Sequence, residues 1–236
     1  MTEAGLFTAL VLGFTLGMQH ALDADHIVAV STIVSKSGNW LKSATVGAVW
    51  GVGHTSTLFV VGGIVLALRL TIPETLALTM EFAVGVVLVV LGASLVREFV
   101  ARRIHLHFHK HEDQSHLHAH RHTVGEGHKH EHSHVYKSLL IGMIHGLAGS
   151  AALMLLVLTT IGSIWEGLFF ILVFGTGSIL GMLVFSGVIG LPFVFTARYA
   201  NQLNQGLRLA AGMLSMGLGL VVLWEIGIVE GLFLRL

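Results

Sequence analysis

From Thr75 to Val96 the chain runs through a helix-length stretch whose one charge is Glu81. Crossing a bilayer as a helix takes about 20 mainly apolar residues, and six stretches qualify: Gly5–Val34, Leu41–Leu68, Thr75–Val96, Ser138–Ile161, Glu166–Phe195 and Gln205–Ile228. Hydrophobic residues make up 54% of the chain and charged residues 11%, against about 25% charged in a soluble domain. A water-soluble fold of 236 residues could not hide that much apolar surface, so lipid has to cover it. The sequence therefore predicts an all-α membrane protein with six transmembrane helices and the bilayer as its first partner.

The chain opens Met1-Thr2-Glu3, with no Lys or Arg ahead of the first apolar run, and that run outlasts the core of a signal peptide. It reads as a retained span. With six spans, Arg69 and Arg235 fall on the side of the termini and eleven Lys and Arg, from Lys36 to Arg208, on the other. Positive residues mark the cytoplasmic side. The expected placement is the cytoplasmic membrane, with both termini outside and the central polar segment in the cytoplasm. Net charge is zero and nothing suggests nucleic acid. Cysteine is absent, which removes disulfides, thiolate metal sites and cysteine nucleophiles.

The two halves align. Gly17-Met18-Gln19-His20-Ala21-Leu22 matches Gly142-Met143-Ile144-His145-Gly146-Leu147 at an offset of 125. Gly51-Val52-Gly53-His54 matches Gly175-Thr176-Gly177-Ser178 at an offset of 124, and Gly85 and Glu98 match Gly212 and Glu225 at 127. Three spans per unit is an odd number, so the second unit is inverted relative to the first, an organisation found in secondary transporters with the site between the repeats. The expected division is 1–99 as the first repeat, 100–136 as a largely disordered polar segment, and 137–236 as the second repeat. Small-xxx-small spacings, such as Gly13/Gly17, Gly47/Gly51, Gly142/Gly146 and Gly177/Gly181, fit tight helix crossings.

Four ionisable residues interrupt the first apolar stretch: His20, Asp23, Asp25 and His26. Such groups at membrane depth face a cavity or a partner. On an ideal helix Asp23 and His26 share the face of His20 while Asp25 points away, and His20 and His26 stand about 9 Å apart along the axis. One ion cannot take both across a straight helix, so the spacing predicts a break between Ala21 and Asp25, or ligands from other spans. His54 and His145, each flanked by glycine, are the recruits. Imidazoles with a carboxylate suit nickel, cobalt, zinc or iron. Met18 and Met143 neighbour these histidines and read as packing residues.

The polar segment carries His105, His107, His109, His111, His116, His118, His120, His122, His128, His130, His132 and His134. Composition this biased captures transition metals weakly at many positions, as an auxiliary site or a landing place for a cytoplasmic metallochaperone. No phosphate-binding loop of the Gly-x-x-x-x-Gly-Lys-Ser/Thr type occurs, so transport would draw on a gradient, and neither an enzymatic activity nor a resident cofactor is expected.

His20-Ala-Leu-Asp-Ala-Asp25-His26 resembles the His-x4-Asp-His signature of the nickel/cobalt transporter superfamily, and Gly53-His54-Thr55-Ser56 resembles its second motif. The Asp-Thr-Ala-Thr-Glu sequence of larger members is absent, whereas His145-Gly-Leu-Ala-Gly-Ser150 resembles the short urease-accessory branch. The resemblance implies metal recognition by His20, Asp25, His26 and His54. It also implies a permease for Ni2+ or Co2+, while the donor chemistry by itself leaves Zn2+ and Fe2+ open. Uptake is the first expectation; efflux and a non-transporting metal receptor are the alternatives.

Overall fold

A computed structural model describes residues 3–103, 106–111, 114–119, 136–148 and 163–235. Its helices are α1 (Glu3–His20), α2 (Ala24–Val34), α3 (Trp40–Leu68), α4 (Glu74–Arg103), α5 (136–148), α6 (Ile164–Tyr199), α7 (Asn201–Trp224) and α8 (Leu232–Arg235), with a π-helical turn at Glu225–Val229. Four stretches among the described residues are long and apolar enough to cross a membrane: Trp40–Leu68, Glu74–Ala101, Ile164–Tyr199 and Asn201–Arg235.

Local chemistry sets the ends. Asn39 caps α3 through its side chain, which accepts from the Leu41 amide at 2.9 Å. α3 stops at Arg69, whose φ of 49° is left-handed. Pro73 then precedes α4 and accepts from the amides of Leu76 and Ala77. The first apolar stretch is two helices: α1 ends at His20, a turn occupies Ala21–Asp23, and α2 starts at Ala24. The break lies within the interval the sequence marked for it.

Burial departs from that of a water-soluble protein, with polar residues inside beside the apolar core and large aliphatic residues outside. Ser43, His54, Ser178 and Ser215 are fully buried, while Val60, Ile64, Val188, Leu214 and Val221 are exposed. Polar groups look inward and aliphatic groups look outward because the outer solvent is lipid. The chain is an integral membrane protein.

Backbones approach closely at glycines, and the contacts come in corresponding pairs. A methyl on Gly17 would strike the Phe174 carbonyl, and one on Gly142 would strike that of Trp50. Gly177 abuts Phe14 and Met18, and Gly53 abuts Leu139 and Met143. Gly51 faces Ile179, and Gly175 faces Thr55. Gly85 lies against Gly219, and Gly92 against Gly212. The order of these contacts makes α1 parallel to α6 and α5 parallel to α3, while α3 with α6 and α4 with α7 run antiparallel. Interhelical hydrogen bonds join them: Thr55 donates to the Gly175 carbonyl at 3.2 Å and Ser215 to that of Leu88 at 2.8 Å.

Outside this helical body, β1 (Leu106–His111) and β2 (Gln114–Ala119) pair antiparallel, with His107 opposite His118 and His109 opposite His116. The alternation Leu106-His-Phe108-His is the strand period of two, a pattern the reading by composition passed over. The rest of 104–135 lies outside the described residues.

Candidate metal centre

The turn after α1 folds the chain back, so that residues six apart in sequence meet in space. The rings of His20 and His26 come to 4.7 Å between centroids, where a straight helix would hold them about 9 Å apart. His54, near the middle of α3, brings a third ring, 5.0 Å from His20 and 5.2 Å from His26. His145 of α5 stands 5.3 Å from His26. His26 is the hub, touching the other three rings. His26, His54 and His145 are at most 2% exposed.

Each carboxylate of the first motif holds one ring. Asp23 takes Nδ1 of His20 at 2.7 Å, and Asp25 takes Nδ1 of His26 at 3.0 Å. The backbone carbonyl of Ile141 takes Nδ1 of His145 at 3.1 Å. An acceptor at Nδ1 fixes the neutral ring as the Nδ1–H tautomer and leaves Nε2 with a bare lone pair, the arrangement that carboxylate partners impose on metal-binding histidines. Nε2 of His26 and of His145 have no partner among the described residues, nor has Nδ1 of His54. Nε2 of His20 lies 3.1 Å from Nε2 of His54.

Ligand atoms of His20, His26 and His54 all fall within 4.8 Å of one another, as do those of Asp23, Asp25 and His26. The first group is nitrogen-only and mostly buried, and the second opens to the surface at Asp23. Three imidazoles suit a borderline transition metal and suit calcium or magnesium poorly. Helix ends add to this: α1 terminates at His20, where the partial negative end of its dipole favours a cation, and Asp23 and Asp25 offset the positive start of α2.

All six residues singled out in the membrane body, His20, Asp23, Asp25, His26, His54 and His145, therefore gather in one place. In the polar segment, His107, His109, His111, His116 and His118 lie on the two strands. His105, His120, His122, His128, His130, His132 and His134 lie outside the described residues.

The sequence reading missed two aromatic walls. Trp50 is fully buried, its ring 4.8 Å from that of His145 and 6.3 Å from that of His26. Phe174 stands 5.4 Å from His20. A signal was present: Trp50 sits four residues before His54, one turn along the same face. Trp50 and Phe174 also correspond at the 124 offset, as His20 and His145 do at 125. Each member of one histidine pair thus stacks on one member of an aromatic pair. Ser178 occupies the place matching His54, with a buried hydroxyl that has no partner among the described residues.

No family model matches the chain, and no solved structure matches it. Among characterised proteins, the nickel transporter NixA of Staphylococcus aureus is 42% identical over 55 residues, 23% of this chain and 16% of that protein. The chloroplast protein For growth and fertility 1 of Arabidopsis thaliana is 25% identical over 221 residues, 92% of this chain and 59% of that protein. The urease accessory protein UreH of a Bacillus species (strain TB-90) is 40% identical over 239 residues, 99% of this chain and 98% of that protein. Sharing that identity along nearly the whole of both chains, the protein belongs to the UreH family, the short urease-accessory branch of the nickel/cobalt transporter superfamily.

Proposed function

We propose that this protein is a secondary permease for a divalent transition metal, Ni2+ first and Co2+ second, working in the direction of uptake. The observation that carries this is the convergence of ring nitrogens from α1, α2 and α3 within 4.8 Å of one another inside a lipid-facing body. His54 is about 21 Å along α3 from Trp40, near the middle of a span, where transporters bind their cargo. His20, His26 and His54 would hold the ion, His145 would complete or receive it, and Asp23 and Asp25 would orient the rings. The ion is cargo, so no chemistry on it is required.

We read the architecture as six spans, α1 and α2 together forming a broken first one and α5 belonging to the fourth. The halves 1–99 and 137–236 would be related by an axis in the membrane plane. Support comes from the paired glycine contacts: exchanging the halves at the sequence offsets turns Gly17 on Phe174 into Gly142 on Trp50. It likewise turns Gly85 on Gly219 into Gly212 on Gly92. Rocking of one half on the other would expose the site alternately. The basic ends would face the cytoplasm, with the histidine segment 100–136 beside them as a capture site for released metal.

Radioactive nickel accumulation in cells expressing the chain, compared with a His20→Ala variant, tests the reading. Strong reduction in the variant is expected, and equal accumulation overturns it. Loss of metal from preloaded cells, faster with the chain than without, would assign efflux instead.

A further inference from the structure

A second polar feature lies at the other end of α2. A cavity of about 110 Å³ is lined by Thr32, Ile33, Lys36, Leu91, Ser94, Lys137 and Ile141. It lies between the C-terminal end of α2, the C-terminal half of α4 at Leu91 and Ser94, and the first two turns of α5. One water needs about 10–15 Å³ on such a measure, so the space takes a group as large as a tetrahedral oxyanion. The lining is graded. Ile33, Leu91 and Ile141 form an apolar part, and two ammonium groups sit at helix ends: Lys36 just past α2 and Lys137 in the opening turn of α5.

The charge there is unbalanced. Lys36 pairs with Glu98 at 2.5 Å, and Arg208 donates to the same carboxylate at 3.2 Å. Glu98 and Arg208 line a smaller neighbouring cavity with Leu95, Phe99 and Gln205. Across the two linings, three cations face one carboxylate. Lys137 has no ion-pair partner among the described residues. A strongly hydrated ammonium beside an apolar wall, at the end of a membrane-embedded bundle, suits a ligand with an anionic head and an aliphatic body. Trp40 and Tyr136, both exposed at the starts of α3 and α5, place this end at the depth of lipid headgroups.

We propose that this cavity is a binding site for the phosphate of an anionic phospholipid, held by Lys36 and Lys137, with the first carbons of the lipid against Ile33, Leu91 and Ile141. Basic pockets between membrane helices bind such headgroups. Because the cavity lies along α2 from His26 and along α5 from His145, the lipid seals the ends of both helices that carry the metal-site histidines.

Native mass spectrometry of the full chain in neutral detergent, with added phosphatidylglycerol or phosphatidylcholine, tests the site. Phosphatidylglycerol adducts are expected on the native chain, and phosphatidylcholine adducts are not. Lys36→Gln and Lys137→Gln should each weaken the phosphatidylglycerol adduct about fivefold, the fold-change equivalent of the roughly 1 kcal/mol per lysine near an anionic surface. Lys137→Arg should keep it. Lys42→Gln removes the same charge at the same end but lies outside the cavity, and should leave the adduct unchanged. An equal loss in Lys42→Gln overturns the proposal in favour of general surface charge. Complete displacement by inorganic phosphate at millimolar concentration overturns the lipid as the source of the anion. If the glutamine variants aggregate, retention of the adduct by Lys137→Arg and its loss in Lys137→Met decide the matter.

Discussion

Nε2 of His20 faces Nε2 of His54 at 3.1 Å, one ring closing α1 and the other in the middle of α3. Two nitrogens bound about 2.0–2.1 Å from a single ion stand about 3.0 Å apart at a right angle and about 3.4 Å apart at a tetrahedral angle. The pair is already spaced for one ion. His20→Ala and His54→Ala should each cut nickel accumulation at least about tenfold, and the double variant should be little worse, because contacting groups that act together are not additive. Radioactive nickel uptake by the three variants checks this, and a double variant showing the product of two mild single effects would mean that the rings act separately.

Asp23 and Asp25 sit behind the rings. Removing the partner of a metal-binding histidine costs about 10–100-fold in affinity. Asp23→Asn and Asp25→Asn should weaken Ni2+ binding at the buried cluster by that factor while leaving the number of ions held there unchanged. The measurement uses the chain lacking 105–134, so that the histidine-rich segment adds no sites. Isothermal titration reads both quantities. A fall in stoichiometry rather than affinity would make a carboxylate a direct ligand.

The helix crossings carry their own prediction. Gly17→Ala and Gly142→Ala drive a methyl into a backbone carbonyl of the neighbouring helix, and overpacking of this kind costs about 1–3 kcal/mol. Gly206 and Gly217 in α7 have open space around them, so alanine there is neutral or gains up to about 1 kcal/mol of helix propensity. Melting temperatures in detergent should fall for the first two and hold or rise for the second two. Similar drops for Gly17→Ala and Gly142→Ala would further support treating the two halves as equivalent.

Deleting 105–134 separates a permease from a receptor. Transport should persist with a changed concentration dependence, because the buried cluster lies entirely outside that segment. Uptake measured across a range of nickel concentrations reads this. A complete loss of uptake with normal membrane levels of the chain would locate the function in the histidine-rich segment.

Much of this site was legible from residue type alone. A histidine or aspartate inside an apolar run is costly enough to announce itself, so His20, Asp23, Asp25, His26, His54 and His145 stood out, and the need to bring His20 to His26 pointed to the broken helix. The roles of the two aspartates were not legible. Ideal-helix angles separated Asp23 from Asp25, whereas the turn at Ala21–Asp23 resets the phase and gives each one a ring. Trp50 and Phe174 were hidden because an aromatic residue in an apolar helix has no energetic oddity; what distinguishes them is the ring on which each one stacks.

The turn at Ala21–Asp23 has a last consequence, for wetness. Its amides return to the carbonyls of Gly17, Gln19 and His20, so three of the last four carbonyls of α1 keep a donor although the helix stops there. Hydrocarbon cannot satisfy an open carbonyl, so a break at membrane depth is tolerated only where the backbone is paired in this way or lies beside protein or water. The interruption can therefore stand inside the body with little demand for solvent of its own. Straightening it would part the rings of His20 and His26 along the axis and undo the cluster with every histidine still in place.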